Sequence, residues 1–162
     1  MSFTIRLACK EDMPEVFRLI HELAVYENEP DAVEVTAEQL ELDGFGPNPK
    51  FQCFVGSKGN EIVGIALIYE RYSTWKGRVI HLEDLIVTEA ARGQGLGGAL
   101  LTEVIRFAQE SGIKRVNWEV LDWNTPAKAF YESRGAKIKS EWKVVHLEEQ
   151  GIEDYLKKYA GI

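Results

Sequence analysis

The segment Arg92-Gly-Gln-Gly-Leu-Gly97 is the part of the sequence whose residue types and spacing point most directly to chemistry. It follows a Val-, Ile- and Leu-rich stretch, 78–87, and leads into apolar residues at helical spacing from Leu96 to Ala108. Glycines let backbone N–H groups approach an oxyanion closely, and a helix N-terminus adds a partial positive charge. The segment therefore predicts a pyrophosphate-binding turn, although a plain glycine-rich connection has the same composition.

Two other phosphate-binding motifs do not match this segment. The dinucleotide fingerprint has the spacing G-x-G-x-x-G inside a parallel β-α-β unit, with an acidic residue about 20 residues further on. Here the glycines are Gly93, Gly95 and Gly97, they follow a predicted antiparallel meander, and no suitable acid follows the next strand. A P-loop would need Gly-Lys followed by Ser or Thr, which the segment lacks.

Two adjacent acids, Glu83 and Asp84, precede the glycine-rich turn. Apolar residues flank them on both sides, at 79–82 and 85–87, so at least one of the two carboxyl groups should point into apolar surroundings. Burial disfavours the charged form of a carboxyl group and raises its pKa. The pair is thus a candidate for proton transfer or cation binding, and the alternative is a pair of solvated acids at a strand end.

The hydrophobic patterns predict an α+β protein with three layers, α/β/α. The sheet is expected to be mixed and mostly antiparallel, with six to seven strands and helices on both faces. No repeat or linker interrupts the chain, so residues 1–162 are predicted to form a single domain. The predicted strands are 3–7, 52–57, 62–69, 78–87, 115–121, 136–141 and 142–147, with a hairpin turn at Gly59-Asn60 between the second and the third. The predicted helices are 12–26, 36–44, 96–111, 125–135 and 152–159, with Asp12 as the cap of the first and Thr36-Ala-Glu-Gln39 as a capping box at the second.

Negative charge is concentrated in one part of this chain of 162 residues, whose formal charge is −7. Residues 11–43 contain eleven acids and one base, Arg18, so this segment carries −10 and the remainder +3. A surface of one sign attracts ions of the opposite sign, which is typical of a wall beside a cationic ligand, while two solvated helix faces would give the same count. Nucleic acid is not an expected partner, because phosphate binding needs a basic stripe.

Membrane, export and metal functions are not expected. The N-terminus has no signal-peptide core and the apolar runs are short, which predicts a cytoplasmic protein without a membrane partner. Cys9 and Cys53 match no C-x-x-C or Cys/His spacing, as expected of reduced thiols. The three histidines, His21, His81 and His146, share no ligand spacing, so no metal site is predicted.

Arg92, Gly95 and Gly97 match the Arg/Gln-x-x-Gly-x-Gly/Ala motif of the GNAT superfamily of acetyl-CoA-dependent N-acetyltransferases, which the chain resembles over nearly its whole length. Four further segments resemble the spermidine/spermine (diamine) N-acetyltransferase branch, which also contains thialysine enzymes: Asp43-Gly-Phe-Gly46, His81-Leu-Glu-Asp84, Asp122-Trp-Asn124 and 130–136. The resemblance implies the GNAT fold, acetyl-CoA as cosubstrate, no metal, and direct transfer in a ternary complex.

The resemblance also implies catalytic roles for two residues. A primary amine with a pKa near ~10.4 is only about 0.04% neutral at pH 7, so a base must help it to react. By analogy with the family, Glu83 is that base, acting through water, and Tyr131 protonates the departing CoA sulfur. The implied cofactor-binding residues are Leu85, Ile86, Val87, Arg92, Gly93, Gln94, Gly95, Leu96, Gly97, Gly98, Asn124, Lys128 and Tyr131.

The implied acceptor pocket combines acids with aromatic rings, which suits an alkylammonium ion. Its residues are Tyr26, Glu27, Trp75, Glu83, Asp84 and Trp123. Where the animal polyamine enzymes carry an acid before Trp75, this chain has Ser73-Thr74, and Arg71 nearby could bind a carboxylate. No second base flanks Arg71, so the sequence favours a diamine or polyamine such as spermidine, spermine or putrescine.

Two other functions remain open at this point. The first is acetylation of thialysine, lysine or another amino acid. The second is a non-catalytic GNAT module that binds acetyl-CoA as a sensor or scaffold, against which the presence of both Glu83 and Tyr131 counts. The family resemblance also implies a homodimer formed through the terminal strands and helices.

Overall fold

The computed structural model describes residues 3–161, which divide into two compact units between Leu121 and Asp122. In the first unit, the described residues form one five-stranded sheet in the order β1-β2-β3-β4-β5. Strands β1 to β4 are antiparallel neighbours, and β5 runs parallel to β4. The elements of this unit are β1 (Thr4–Leu7), α1 (Met13–Tyr26), α2 (Ala37–Phe45), β2 (Gln52–Lys58), β3 (Glu61–Ser73), β4 (Gly77–Val87), α3 (Leu96–Glu110) and β5 (Val116–Asn117).

Helices cover both faces of this sheet because side chains alternate along β2 and β3. Cys53 and Val55 on β2 belong to the same buried cluster as Ile65 and Leu67 on β3, and α1 and α2 pack against that face. The other face receives α3, where Phe54 contacts Phe107 edge to face with 6.2 Å between ring centroids. Both faces are therefore buried, as the apolar runs on β3 and β4 require.

Two glycines let α3 approach the sheet closely. Gly56 and Gly64 lie opposite each other on β2 and β3, and the side chain of Leu96 from the first turn of α3 rests on them. A Cβ atom at Gly56 would lie 2.7 Å from Cδ1 of Leu96, and one at Gly64 would lie 3.0 Å from the carbonyl oxygen of Ile86. The absence of side chains here fixes the position at which α3 begins.

The second unit contains α4 (Thr125–Glu132) and α5 (Glu149–Tyr159). The predicted strands 136–141 and 142–147 are wrong, because the described backbone between α4 and α5 is irregular and turns at 139–142, where the N–H of Trp142 bonds to the carbonyl of Lys139. Val144 and Val145 are exposed there. A strand exists only when its backbone pairs with a neighbour, and alternating apolar residues alone do not supply one.

Other differences from the predicted elements are local. The predicted strand 115–121 pairs only at Val116–Asn117, which together with the irregular 136–147 leaves five strands instead of six to seven. Asp12 does not cap α1 with its side chain, because its carboxylate accepts hydrogen bonds from Arg6 at 2.6 and 2.9 Å and from the N–H of Cys9 at 2.8 Å. The predicted hairpin at Gly59-Asn60 is confirmed.

Replacing Gly64 with alanine tests the close approach of α3. The new Cβ would lie within 3.1 Å of Leu96 and Leu100 and 3.0 Å from the Ile86 carbonyl, so the free energy of unfolding in urea should fall by about 1–3 kcal/mol. Gly97→Ala is the control, because its Cβ would meet only Cγ2 of Val87 at 3.7 Å, an ordinary contact. Equal stability of Gly64→Ala and wild type would contradict this packing.

Candidate active site

Strand β4 contains a β-bulge at Glu83. Asp84 pairs with Leu67 and Leu82 pairs with Ile68, so Glu83 is an extra residue with no opposite residue on β3. A bulge re-aims the side chain at that position and bends the strand locally. The Glu83 side chain is 52% exposed, whereas its neighbours 79–82 are all buried. The bulge thus exposes the Glu83 carboxylate directly after a run of buried residues.

The bulge also changes which edge of β4 the following backbone groups face. The carbonyl of Val87 accepts a hydrogen bond from Nε of Arg92 at 2.9 Å, and the next N–H, that of Thr88, bonds across to Val63 on the β3 side. Backbone groups alternate between the two edges of a strand, so those of Leu85 face the same edge as those of Val87, and those of Ile86 face β3. Further back, the N–H of Ile80 faces β5 and bonds to Arg115.

Pairing between β4 and β5 ends before Leu85 and Val87. The two parallel strands are in register only at Ile80 with Val116 and at His81 with Asn117. From Leu82 onwards the described residues give β4 no strand partner on that side. The backbone of Leu85 and Val87 therefore has no strand partner at this edge, where an extended ligand with amide groups could add hydrogen bonds.

The glycine-rich turn follows directly from this edge. Gly93 and Gly95 have φ of +74° and +88°, values in the left-handed region that favours glycine, and Gly95 is the residue that precedes the first turn of α3. The following N–H groups of α3 are those without a partner inside the helix, so they and the helix dipole favour an anion at this end. These features make the turn a candidate anion-binding site.

Glu22 holds the segment just before this turn to α1, a contact that the sequence analysis missed. Its carboxylate accepts hydrogen bonds from Oγ1 of Thr88 at 2.8 and 3.0 Å and from the N–H of Glu89 at 3.0 Å, and it lies 3.5 Å from Arg18. The only sequence signal was an acid at helical spacing on α1, which many solvated acids share. The contact fixes the start of the turn relative to α1.

Tyr26 and Glu27 lie at the end of α1, near the same turn. The guanidinium of Arg92 stacks over the Tyr26 ring, 4.9 Å from its centroid, which joins a predicted cofactor residue to a predicted acceptor residue. Glu27 is half-buried, and burial raises the pKa of its carboxyl group.

Asp84, Glu83 and Glu27 form an acidic cluster. Burial, and after it the charges of Glu83 and Glu27, raise the pKa of Asp84 to about 7, although its side chain keeps some contact with solvent. Asp84 is thus the acid of the Glu83-Asp84 pair that has the raised pKa expected from the sequence. Each negative charge disfavours ionisation of the other carboxyl groups, so a bound cation would stabilise their ionised forms.

Trp75 is not beside this cluster along the sheet. It occupies the tip of the β3–β4 hairpin, where Ser73 pairs with Gly77, and it is 77% exposed. Six residues separate Gly77 from Glu83, a span of about 20 Å along a strand. A role for Trp75 in binding the acceptor therefore remains a prediction.

The second unit carries the other predicted site residues. Asn124 is buried and caps α4, with Oδ1 accepting from the N–H of Ala127 at 3.3 Å. Nζ of Lys128 donates to the backbone and side-chain oxygens of Asp122, both at 3.1 Å. The half-buried ring of Tyr131 packs edge to face on Phe130, with centroids 5.3 Å apart. Trp123 is 51% exposed.

Two features are absent from residues 3–161. No helix in this range is long and apolar enough to cross a membrane. No group of three or more His, Cys, Asp or Glu side chains in the same range is arranged to hold a metal ion.

Comparison with known proteins identifies the family. The Acetyltransferase (GNAT) family matches residues 13–136, which include the bulge, the parted strands and the glycine-rich turn. The chain belongs to the GNAT family. It is therefore an acetyltransferase of the kind that uses acetyl-CoA, as the motif around Arg92 predicted, and the predicted fold class is confirmed.

Curated relatives belong to the branch that the sequence resembled. The thialysine N-epsilon-acetyltransferase of Sus scrofa is 40% identical over 148 residues, covering 86% of this chain and 87% of that protein. The spermidine/spermine N(1)-acetyltransferase-like protein 1 of Homo sapiens is 40% identical over 152 residues, covering 90% of this chain but 22% of that protein. A solved integron cassette protein from V. cholerae has the same fold, with a TM-score of 0.80, 22% identity, and coverage of 97% of this chain and 99% of that one.

The raised pKa of Asp84 predicts how stability depends on pH. Between pH ~4 and ~7 the folded protein binds a proton that the unfolded chain releases, so the free energy of unfolding falls as pH rises through this range. From pH 5 to pH 8, wild type should lose about 2–3 kcal/mol relative to Asp84→Asn, measured by urea unfolding. The exposed Asp31→Asn variant is the control and should follow wild type. Parallel curves for Asp84→Asn and wild type would show that Asp84 ionises normally.

Proposed function

We propose that this enzyme transfers acetyl from acetyl-CoA to the terminal primary amine of a small cationic molecule, in a ternary complex without a covalent intermediate. The observation that carries the proposal is the placement of Glu83 and Asp84, two members of the acidic cluster, on the strand whose open edge leads into the glycine-rich turn. One end of this arrangement suits a diphosphate and the other suits an ammonium ion. The open edge of β4 joins the two.

Acetyl-CoA fits the features of the first unit in order along the chain. The diphosphate would lie on the N–H groups after Gly93 and Gly95, with Gln94, Leu96, Gly97 and Gly98 completing the turn. The pantetheine arm has amide groups that would pair with the backbone of Leu85 and Val87. The thioester would then reach the bulge at Glu83. The family resemblance assigns Asn124 and Lys128 to the cofactor as well, and their bonds to Ala127 and Asp122 would orient their side chains.

Glu83 and Asp84 have different roles towards the amine. The acceptor enters as an ammonium ion, which the acidic cluster binds, and it must lose one proton before its nitrogen can attack. The exposed Glu83 carboxylate is the group that water can reach, so it takes that proton through a water molecule. Asp84 and Glu27, which are less exposed, hold the ammonium group until that proton leaves.

Tyr131 completes the proton balance. The neutral nitrogen attacks the thioester carbonyl, an N–C bond forms, and the C–S bond breaks. Glu83 passes the first proton to solvent and can then accept the second proton from the positively charged nitrogen of the tetrahedral intermediate. The hydroxyl of Tyr131 donates a proton to the thiolate and is restored from solvent. Because the nucleophile is the acceptor itself, neither Cys9 nor the buried Cys53 is needed as a carrier.

A lysine-type amino acid such as thialysine is the acceptor class that we propose first, a change from the sequence analysis. Arg71 lies on β3 two residues beyond Tyr69, which pairs with His81, so four residues along the sheet, about 13 Å, separate Arg71 from the row of Glu83. The exposed, flexible side chain of Arg71 could bind an α-carboxylate while the distal amine reaches the acidic cluster. The name of the Sus scrofa relative supports the same class.

Diamines and polyamines are the second acceptor class. The three acids of the cluster favour them, since one carboxylate is enough for one ammonium ion. The human relative named for spermidine/spermine acetylation adds support.

Three further properties are proposed on the sequence and the family. The chain is proposed to act as one catalytic domain, in the cytoplasm, and as a homodimer. Large apolar side chains exposed in the second unit would suit a second copy: Trp142, Val144, Val145, Leu147, Ile152, Tyr155, Leu156 and Tyr159.

Steady-state acetyl transfer to four amines, measured by release of free CoA thiol, tests the proposed function. We expect the enzyme to acetylate thialysine, lysine, spermidine and putrescine. The value of kcat/KM should be at least about tenfold higher for thialysine and lysine than for spermidine and putrescine. Arg71→Gln should erase that advantage without lowering turnover of putrescine, which has no carboxylate. Lys76→Gln, a nearby exposed charge change, is the control.

Two results would contradict the proposal. If none of the four amines causes release of thiol, the proposed activity on small cationic amines is wrong. Higher kcat/KM for spermidine or putrescine, unchanged in Arg71→Gln, would replace the first acceptor class with the second.

A further inference from the structure

His81 lies at the point where β4 and β5 part. It is 7% exposed, it pairs with Asn117 in the β4–β5 register, and its ring packs against that of Tyr69 with 5.1 Å between centroids. Its two ring nitrogens face different partners. Nδ1 lies 2.7 Å from Nδ2 of Asn117, and Nε2 lies 3.4 Å from Oε2 of Glu83.

The Asn117 amide determines which ring nitrogen carries the proton. An amide nitrogen only donates, so Nδ2 of Asn117 requires a lone pair on Nδ1, and the proton of the neutral ring is then on Nε2. Nε2, which then carries the proton, is the ring atom that lies 3.4 Å from the Glu83 carboxylate. The distance of 3.4 Å is longer than a full hydrogen bond, and it is short enough for an electrostatic attraction that draws one carboxylate oxygen towards the ring.

Turning the Asn117 amide leads to the same donor. In the present orientation Oδ1 of Asn117 is buried and has no hydrogen-bond partner among the residues described. If the amide turned, Oδ1 would accept from an N–H at Nδ1. A neutral ring would then direct its Nε2 lone pair at Glu83, placing two acceptors against each other, whereas a doubly protonated ring would still donate from Nε2. Every arrangement without repulsion therefore has a proton on Nε2.

We propose that His81 is a positioning residue that holds the Glu83 carboxylate through its Nε2–H, with Asn117 fixing the tautomer. This inference rests on the proposed role of Glu83 as the base. The Glu83 side chain lies on a bulge and is 52% exposed, so it has few other constraints on its rotamer. A buried imidazole anchored at its other nitrogen by a strand pair removes that freedom. A base held in one place loses less rate to misorientation than a mobile one.

The tautomer can be read without any activity measurement. In the ¹⁵N-labelled full chain, the three histidines give three sets of imidazole signals in a long-range ¹H–¹⁵N spectrum, and His21→Gln and His146→Gln assign the set of His81. We expect the His81 signals near neutral pH to show a protonated Nε2, in a neutral or a doubly protonated ring. A neutral ring with its proton on Nδ1 would overturn the inference.

Kinetics in a double-mutant cycle test whether His81 acts through Glu83. His81→Phe keeps a ring against Tyr69 and removes the donor, so kcat should fall about tenfold or more while KM for acetyl-CoA stays unchanged. His81→Gln keeps a side-chain N–H and should recover most of that loss. In a Glu83→Gln background, His81→Phe should have no further effect. Thermal unfolding shows whether each variant is folded.

Different results would contradict the proposed function and the proposed role of His81. If the wild-type enzyme releases no thiol with any amine, the proposed function is wrong. The tautomer measurement still tests the contact between His81 and Glu83 in that case. An active wild type with kcat unchanged in His81→Phe, or an undiminished effect of His81→Phe in the Glu83→Gln background, overturns the positioning role alone.

Discussion

The site depends on one constraint, the separation of β4 from β5 after His81 and Asn117. A strand in the middle of a sheet normally uses both edges for hydrogen bonds, and an unpaired edge is costly unless something else pairs with it. Here β4 pairs with β3 on both sides of the bulge at Glu83, while β5 pairs with it over two residues. Beyond that point the open edge is available to a ligand, and the bulge at Glu83 sets which backbone groups face it.

The position of α3 follows from the other face of the same sheet. The paired glycines Gly56 and Gly64 let Leu96 contact the strands directly, so the start of α3 is held against the sheet. Glu22 holds the preceding segment from α1 through Thr88 and Glu89. The glycine-rich turn is therefore fixed at both ends, and the N–H groups at the helix start have a defined direction. Preorganised donors of this kind bind an anion without a further loss of conformational entropy.

Local sequence signals predicted much of this arrangement. The turn at Gly59-Asn60, the capping of α2 by Thr36 and the helix after Arg92 depend on neighbouring residues, and the structure has all three. The bulge at Glu83 could not be predicted in this way, because its evidence is the register of β4 against β3, a contact between distant parts of the chain. The length of β5 was overestimated for the same reason: the residues after Asn117 have strand composition, but β4 does not pair with them.

The acidic site was predicted in outline and missed in detail. The neighbouring apolar residues indicated that one of Glu83 and Asp84 would be buried, but only the register identifies it as Asp84. Glu27 joined them through the family resemblance, and its half-buried position at the end of α1 agrees with that assignment. His81 and Asn117 gave no signal as a pair, since 36 residues separate them along the chain.

Calorimetric titration of Gly97→Asp with acetyl-CoA tests most directly whether the turn before α3 is the diphosphate site. The new side chain is sterically tolerated, because a Cβ at Gly97 would only touch Val87 at 3.7 Å, and an acid in the first turn of a helix stabilises it. A folded variant should therefore result, with a negative charge where the diphosphate is expected. The account predicts that Gly97→Asp binds no detectable acetyl-CoA while Gly97→Ala binds within a few-fold of wild type, and wild-type affinity in folded Gly97→Asp would contradict it.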